Sequence, residues 1–203
     1  MKNERRYLRS DRPRLSKRDQ TQTQRIEKWR LRIGTLNVGT MTSRSREFVR
    51  EPKKRKVDIA AVQETRWNGG KSKDLREDYK LIYYGDSGRN GVGVIVSETL
   101  RECVAEVHRW PERLMAVTLD IDSLRLTIIS AYAPQTGCSE SEKDEFWENL
   151  RSKYDNHPEL GIVLICGDLN GHVGQSSDDF ECHGGHGYGT RSEDGERIVD
   201  FAE

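Results

Sequence analysis

Apolar positions along this chain cluster into short β-branched runs separated by polar and glycine-containing turns. Leu31 to Leu36, Val57 to Val62, Leu124 to Ala131 and Ile162 to Ile165 are four such runs, and each predicts a strand; the last extends over 161–166. Further strands are predicted at 79–84, 92–97, 102–108 and 113–121. Arg89-Asn90-Gly91 supplies a hairpin turn between the 79–84 and 92–97 runs, because Asn-Gly accepts positive φ at little cost, and a second turn falls at Asp120 to Ser123. Two helical segments are expected before the last one. Residues 43–51 form a helix that Pro52 should cut short, and Ser139 to Tyr154 form a longer one. In the latter, Ser139 and Ser141 are candidate N-caps, Glu142 and Glu145 lie in the first turns, Phe146, Trp147 and Leu150 make the apolar face, and His157-Pro158 ends it. Glycine-rich coil follows from Gly167 to Gly189, and a last helix begins near Asp194-Gly195 with Ile198, Val199 and Phe201 on one face. Strands outnumber helices, many are hairpin partners, and one long helix links two buried strands. The fold class is therefore α/β, with two packed mixed sheets and helices outside.

Each of the four main runs ends in a polar signature: Leu36-Asn37, Val62-Gln63-Glu64-Thr65, Ala131-Tyr132-Ala133-Pro134 and Gly167-Asp168-Leu169-Asn170. Strand ends bearing Asn, Glu, Tyr, Asp and Asn suit one site assembled from distant parts of the chain. Carboxylate and carboxamide oxygens favour a hard cation such as Mg²⁺. Glu64 alone reads as a metal ligand or as a loop-bonded surface carboxylate. Asp168 and Asn170, at i and i+2, point the same way if the backbone stays extended, or close an Asx turn if it does not. Tyr132 is a hydroxyl donor for a phosphate oxygen or a core-edge tyrosine. Taken together, these residues describe phosphoryl transfer, with a carboxylate-held cation, an aspartate acting on the attacking water, and neutral donors around the phosphate.

Composition changes this picture at two points. The net charge of zero hides an asymmetry: residues 1–30 hold 11 Lys and Arg against 4 Asp and Glu, so a basic leader precedes an acidic body. Such an arm is a solvated tail or a polyanion-binding one. The expected organisation is thus a basic leader over 1–30 and a domain over 31–203. Cys103, Cys138, Cys166 and Cys182 show no paired spacing, and the first residues are charged rather than apolar. They are read as reduced thiols of an intracellular protein, nuclear or cytoplasmic and not secreted. No apolar run reaches the roughly 18 residues of a membrane helix, so no membrane partner is expected. Three other signals are set aside. Cys182-His183-Gly-Gly-His186 fits no standard zinc spacing, Gly88 to Gly93 is too sparse for a dinucleotide fingerprint, and Lys53 to Lys56 reads as a solvated loop.

The phrases Leu-Asn-Val-Gly, Val-Gln-Glu-Thr-Arg-Trp, Ser-Ala-Tyr-Ala-Pro-Gln and Gly-Asp-Leu-Asn-Gly-His-Val-Gly occur in order along residues 31–203. In this the chain resembles the endonuclease/exonuclease/phosphatase superfamily. Arg-Asn-Gly-Val-Gly-Val, Glu-Phe-Trp-Glu and Asp-Gly-Glu-Arg-Ile-Val-Asp-Phe-Ala narrow the resemblance to the apurinic-type endonuclease domain of non-LTR retrotransposons and to craniofacial development protein 2-like proteins. The resemblance implies a four-layer α/β sandwich that cleaves phosphodiesters, most of all in DNA, with Mg²⁺ or in its place Mn²⁺. It implies Glu64 as metal ligand with Asn37 beside the metal, Tyr132 on the phosphate, and Asp168 with Asn170 on the nucleophile. Arg66, Trp67 and His172 are candidate substrate contacts. The family site also carries a late Ser-Asp-His element that nothing after Asp168 matches, so the domain is expected to stop before its last strands. That departure leaves two further readings, a catalytically dead remnant acting as a binding module and a phosphatase on a small phosphate ester.

Overall fold

The structure is a computed structural model that describes residues 30–42, 45–75, 78–86, 88–111, 113–156, 161–178 and 180–203. The leader over 1–29 and the His157-Pro158 stop lie outside the described residues. The unit described below runs from Arg32 to Glu203.

Nine strands form two sheets. The first contains β1 (Ile33–Asn37), β2 (Ile59–Gln63), β3 (Lys71–Leu75), β4 (Tyr79–Tyr84) and β5 (Val92–Ser97), in the order β1-β2-β5-β4-β3. The second contains β6 (Val104–Trp110), β7 (Leu114–Ile121), β8 (Leu124–Tyr132) and β9 (Ile162–Asp168), in that order. Both sheets are mixed: β1 runs parallel to β2 and β8 parallel to β9, while the other pairs are antiparallel. The helices are α1 (Ser45–Arg55), α2 (Glu140–Asp155) and α3 (Glu193–Ala202).

Side-chain alternation assigns the faces. On one side of the first sheet Ala60, Val62, Leu81, Tyr83 and Ile95 join Val38, Met41, Leu75 and Tyr79 in a core cluster. On one side of the second, Leu114, Ala116, Ile129 and Ala131 pack against Phe146 and Leu150 of α2, with Phe201 of α3 alongside. The alternate positions Ile59, Ala61 and Gln63 of β2 and Ile128 and Ser130 of β8 are also buried, and these two strands face each other between the sheets. A buried hydrogen bond crosses that interface, from Nε2 of Gln63 to Oγ of Ser130 at 3.3 Å.

Four elements differ from the sequence reading. Pro52 lies inside α1, which continues to Arg55; proline removes one helical hydrogen bond there, but its ring is buried and the turn carries on. The polar segment Lys71–Leu75 is a strand, β3, because it pairs in full register with β4 at the sheet edge and needs no apolar alternation to do so. The strand expected at 102–108 begins at Val104, after a short 3-10 helix over Glu98–Cys103. The first strand is displaced towards the site and ends at Asn37. Ser139 rather than Ser141 caps α2, in a capping box with Glu142. Cys103, Cys138, Cys166 and Cys182 are free thiols. Among the described residues no helix is long and apolar enough to cross a membrane.

Candidate active site

Asn37 and Gln63 are partners in the β1–β2 register, as are Tyr132 and Asp168 in the β8–β9 register, so all four strands end side by side. At the end of β2 the chain leaves the sheet through Glu64, whose φ is 58°. A left-handed residue with a Cβ costs roughly 1–2 kcal/mol and persists only where its surroundings hold it. Those surroundings are the β4–β5 turn, where Thr65 N–H donates to the Gly91 carbonyl at 3.1 Å and Arg66 N–H to the Asn90 carbonyl at 2.9 Å.

One amide joins the two carboxylates. Nδ2 of Asn37 donates to Oε1 of Glu64 at 2.8 Å and to Oδ2 of Asp168 at 3.0 Å. The amide oxygen of Asn37 accepts the N–H of Gly39 at 2.9 Å. The reverse assignment would set that oxygen against carboxylate oxygens and an NH₂ against an N–H. Asn37 therefore meets both acids as a donor, and its oxygen, the atom a metal would take, points to Gly39.

Glu64 receives two more hydrogen bonds. The Tyr132 hydroxyl donates to Oε1 at 2.9 Å, and Nη2 of Arg66 donates to Oε2 at 2.9 Å. Burial pushes the Glu64 carboxyl upward, but the hydrogen bonds from Asn37, Arg66 and Tyr132 and the Arg66 charge outweigh it, so the acid titrates below its ordinary range. Burial, followed by the bond to Glu64, raises the Tyr132 hydroxyl above its usual value, which keeps it a donor. That hydroxyl also accepts Nε2 of Gln135 at 3.0 Å, so its one hydrogen is committed to Glu64.

Asp168 and Asn170 form the Asx turn. Oδ1 of Asp168 accepts the Asn170 N–H at 3.1 Å, and Asn170 has φ 50°. Oδ2 remains on Asn37, so the turn and the shared site coexist. Nδ2 of Asn170 donates to the Ala133 carbonyl at 2.7 Å, tying the Asp168 turn to the segment after Tyr132. The backbone of His172 bonds Ser192, the N-cap of α3, in both directions. Asp168, Asn170 and His172 line a cavity of about 710 Å³ with Lys143, Glu140 and Asp194.

The structure thus brings Asn37, Glu64, Arg66, Tyr132, Asp168 and Asn170 into one bonded cluster, and sets His172 on the cavity beside it. Trp67 is not a member of that cluster; its ring packs edge-on to Tyr83 with centroids 5.2 Å apart. Two members escaped the sequence reading. Gln135 stands in the Tyr-Ala-Pro-Gln phrase, but its reach back to Tyr132 depends on the turn after Pro134. Arg113 donates to the carbonyls of Tyr132 and Ala133 at 3.4 and 3.3 Å from a turn that carries no recognisable signal.

The donor set suits a hard cation held loosely. Glu64 offers one carboxylate and Asp168 lies one amide away, which matches Mg²⁺, an ion that takes one or two carboxylates and keeps waters for the rest. Among the described residues no three His, Cys, Asp or Glu side chains come together around a common point.

Two mixed sheets packed face to face, with an acid-and-amide cluster at their joined strand ends, define an α/β sandwich whose polar site lies where the two sheets meet. Residues 34–192 match the model of the endonuclease/exonuclease/phosphatase family, and the chain belongs to that family. Craniofacial development protein 2 of Bos taurus is 31% identical over 173 residues, covering 83% of this chain and 29% of its own length. The chain therefore spans less than a third of that relative. Among solved structures, the 3′ phosphatase NExo from Neisseria bound to a product DNA hairpin matches with a TM-score of 0.57 at 15% identity, over 85% of this chain and 70% of its own. The endonuclease domain of TRAS1, a telomere-specific non-LTR retrotransposon, matches with a TM-score of 0.52 at 14% identity, over 85% and 69%. These likenesses establish the α/β sandwich fold.

Proposed function

We propose that this chain carries the site of a Mg²⁺-dependent phosphodiesterase that nicks DNA, of non-LTR retrotransposon type. The observation that carries this reading is the Asn37 amide shared by Glu64 and Asp168, which draws acids from the two sheets to one point. Family membership and the likeness to an endonuclease domain and to a DNA-bound phosphatase support it. Glu64 holds the cation, with Mn²⁺ as a substitute. When bound, the ion polarises a phosphate oxygen and offsets charge on the leaving oxygen. Asp168 orients the attacking water and accepts its proton, with Asn37 fixing the carboxylate's direction. Tyr132 keeps Glu64 in place, since its hydrogen is already given to that carboxylate. Asn170 has a second amide hydrogen for a phosphate oxygen. This reading puts the protein inside the cell, nuclear or cytoplasmic, where its thiols stay reduced.

One observation favours a catalytically silent binding module instead. Arg66 already neutralises Glu64 with a guanidinium at 2.9 Å, on the oxygen a cation needs. Nicking of supercoiled plasmid decides between the two. The nuclease reading expects relaxation that EDTA stops and that Glu64→Ala and Asp168→Ala each lower by about a hundredfold or more. Nicking that survives both substitutions would show that the site is elsewhere. Plasmid binding with no relaxation in Mg²⁺ or Mn²⁺ would favour the binding module.

A further inference from the structure

The first sheet carries a cationic end that the site does not use. Lys71 opens β3 and lies opposite Tyr83, and Lys73 lies opposite Leu81, so both lysines project on the Tyr83 face. Trp67 packs its edge on Tyr83, and Nζ of Lys73 stands 4.7 Å from the centre of the Trp67 ring. From the other face comes Arg109 of β6. A Cβ on Gly70 would lie 2.8 Å from Cδ of Arg109, so the arginine stem passes directly over this glycine just before β3 and would have to shift to make room for a side chain there. Lys71, Lys73 and Arg109 are exposed, and among the described residues none of them has a carboxylate partner. Of the acids on these strands, Asp74 pairs with Arg101, and Glu106 with Arg125 and His108.

Topology sets this patch beside the site. Gln63 lies opposite Val92, Val92 opposite Tyr84, and Lys71 opposite Tyr83. The start of β3 is therefore at the same end of the sheet as Glu64, three strand spacings or about 14 Å away. At about 3.4 Å per nucleotide along a duplex, that is the reach of about four nucleotides.

We infer that Lys71, Lys73 and Arg109, with Trp67 as their apolar floor, hold the phosphate backbone of duplex DNA about four nucleotides to one side of the reacting phosphate. The inference rests on the nuclease reading of the site and assigns it a substrate footprint. Cations on both faces of one strand end suit a backbone lying across it, and a flexible ammonium serves as a point charge for phosphate without reading bases.

Fluorescence anisotropy of a labelled DNA duplex in EDTA tests this, because binding is then read without cleavage. Lys71→Ala/Lys73→Ala/Arg109→Ala is expected to weaken binding about tenfold or more at moderate salt and to lower the slope of log affinity against log salt by about 2 to 3. Lys71→Arg/Lys73→Arg should bind as the parent does, and Lys54→Ala/Arg55→Ala, at the far end of the sheet, should change affinity by less than about threefold. Hydrolysis of bis(p-nitrophenyl) phosphate in Mg²⁺ should be the same in the triple variant and the parent. A parent that binds and nicks DNA while the triple variant binds equally well overturns the footprint and leaves the nuclease reading standing. A Lys54/Arg55 control that loses as much as the triple variant also overturns it, since bulk charge would then explain the binding. A parent that neither binds nor nicks duplex DNA overturns both.

Discussion

Arg66 occupies a position that two kinds of chemistry compete for. Its guanidinium sits on Oε2 of Glu64, half exposed to solvent while the carboxylate is 13% exposed. An exposed ion pair contributes little to stability, about 0–1 kcal/mol. Against a divalent cation it matters more, because the guanidinium takes a lone pair and repels the incoming charge. Arg66→Ala is therefore expected to tighten Mn²⁺ binding severalfold, as followed by the loss of the free-ion electron paramagnetic resonance signal; unchanged or weaker binding would place the cation away from Glu64. At this scale the sequence was informative about which residues meet and silent about how. The strand-end positions of Asn37, Glu64, Tyr132 and Asp168 follow from apolar runs that stop at them. That Asn37 turns its NH₂ inward follows from Gly39 capturing its oxygen, and a backbone N–H two residues on leaves no trace in residue type. For the same reason Tyr132, read as a phosphate donor, is found holding Glu64: whether a phenol donates to a ligand or to a neighbour depends on a strand 68 residues away in sequence.

Among the elements, the β4–β5 turn is the one that acts on the site. Its Asn90 and Gly91 carbonyls receive the N–H groups of Arg66 and Thr65 and so hold Glu64 in its left-handed conformation. Gly91 has φ 95°, and a Cβ there would collide with Oγ1 of Thr65. Gly69 has φ 85° with nothing within 4 Å of an added Cβ. Ala at either position brings backbone strain of about 1 kcal/mol, but only Gly91→Ala also pushes on the residue after Glu64. Melting curves should show both variants destabilised, with Gly91→Ala the more so, and plasmid nicking should fall about tenfold or more in Gly91→Ala alone. Equal activity in the two would mean that the turn does not set the position of Glu64. This hairpin was legible because Asn-Gly between two apolar runs has few other outcomes. β3 was not, because a polar edge strand takes its conformation from the register of its neighbour rather than from its own pattern. α1 ran past Pro52 because losing one hydrogen bond near the helix end is offset by burying the ring.

In the molecule as a whole the site belongs to neither sheet. Asn37 and Glu64 come from the first, Tyr132 and Asp168 from the second, and their distances depend on how the sheets dock. The two-sheet architecture was readable from the count and order of apolar runs, but the docking was not, since it is set by contacts between residues far apart in the chain. Its polar key is Gln63, fully buried, whose Oε1 accepts from Thr35 at 3.2 Å and whose Nε2 donates across the interface to Ser130. Oγ of Ser130 in turn donates to the Val62 carbonyl at 3.2 Å, so the second sheet bonds the strand that leads into Glu64. Gln63→Leu would take from the fully buried Ser130 the donor it accepts, in a place water does not reach, while exposed Thr35 can turn to solvent, so the cost is about 1 kcal/mol. Ser130→Ala would remove the other half. If the pair acts as a unit, the double variant loses less than the sum of the singles, with a coupling of about 1 kcal/mol in urea denaturation. The same cycle measured on nicking rates at a temperature well below melting should show the same sign, because slack between the sheets separates Glu64 from Asp168 before either sheet unfolds. Additive effects on stability would reduce Gln63 to a packing residue. Coupling in stability without coupling in rate would mean that the Asn37 amide alone suffices to keep the two acids together.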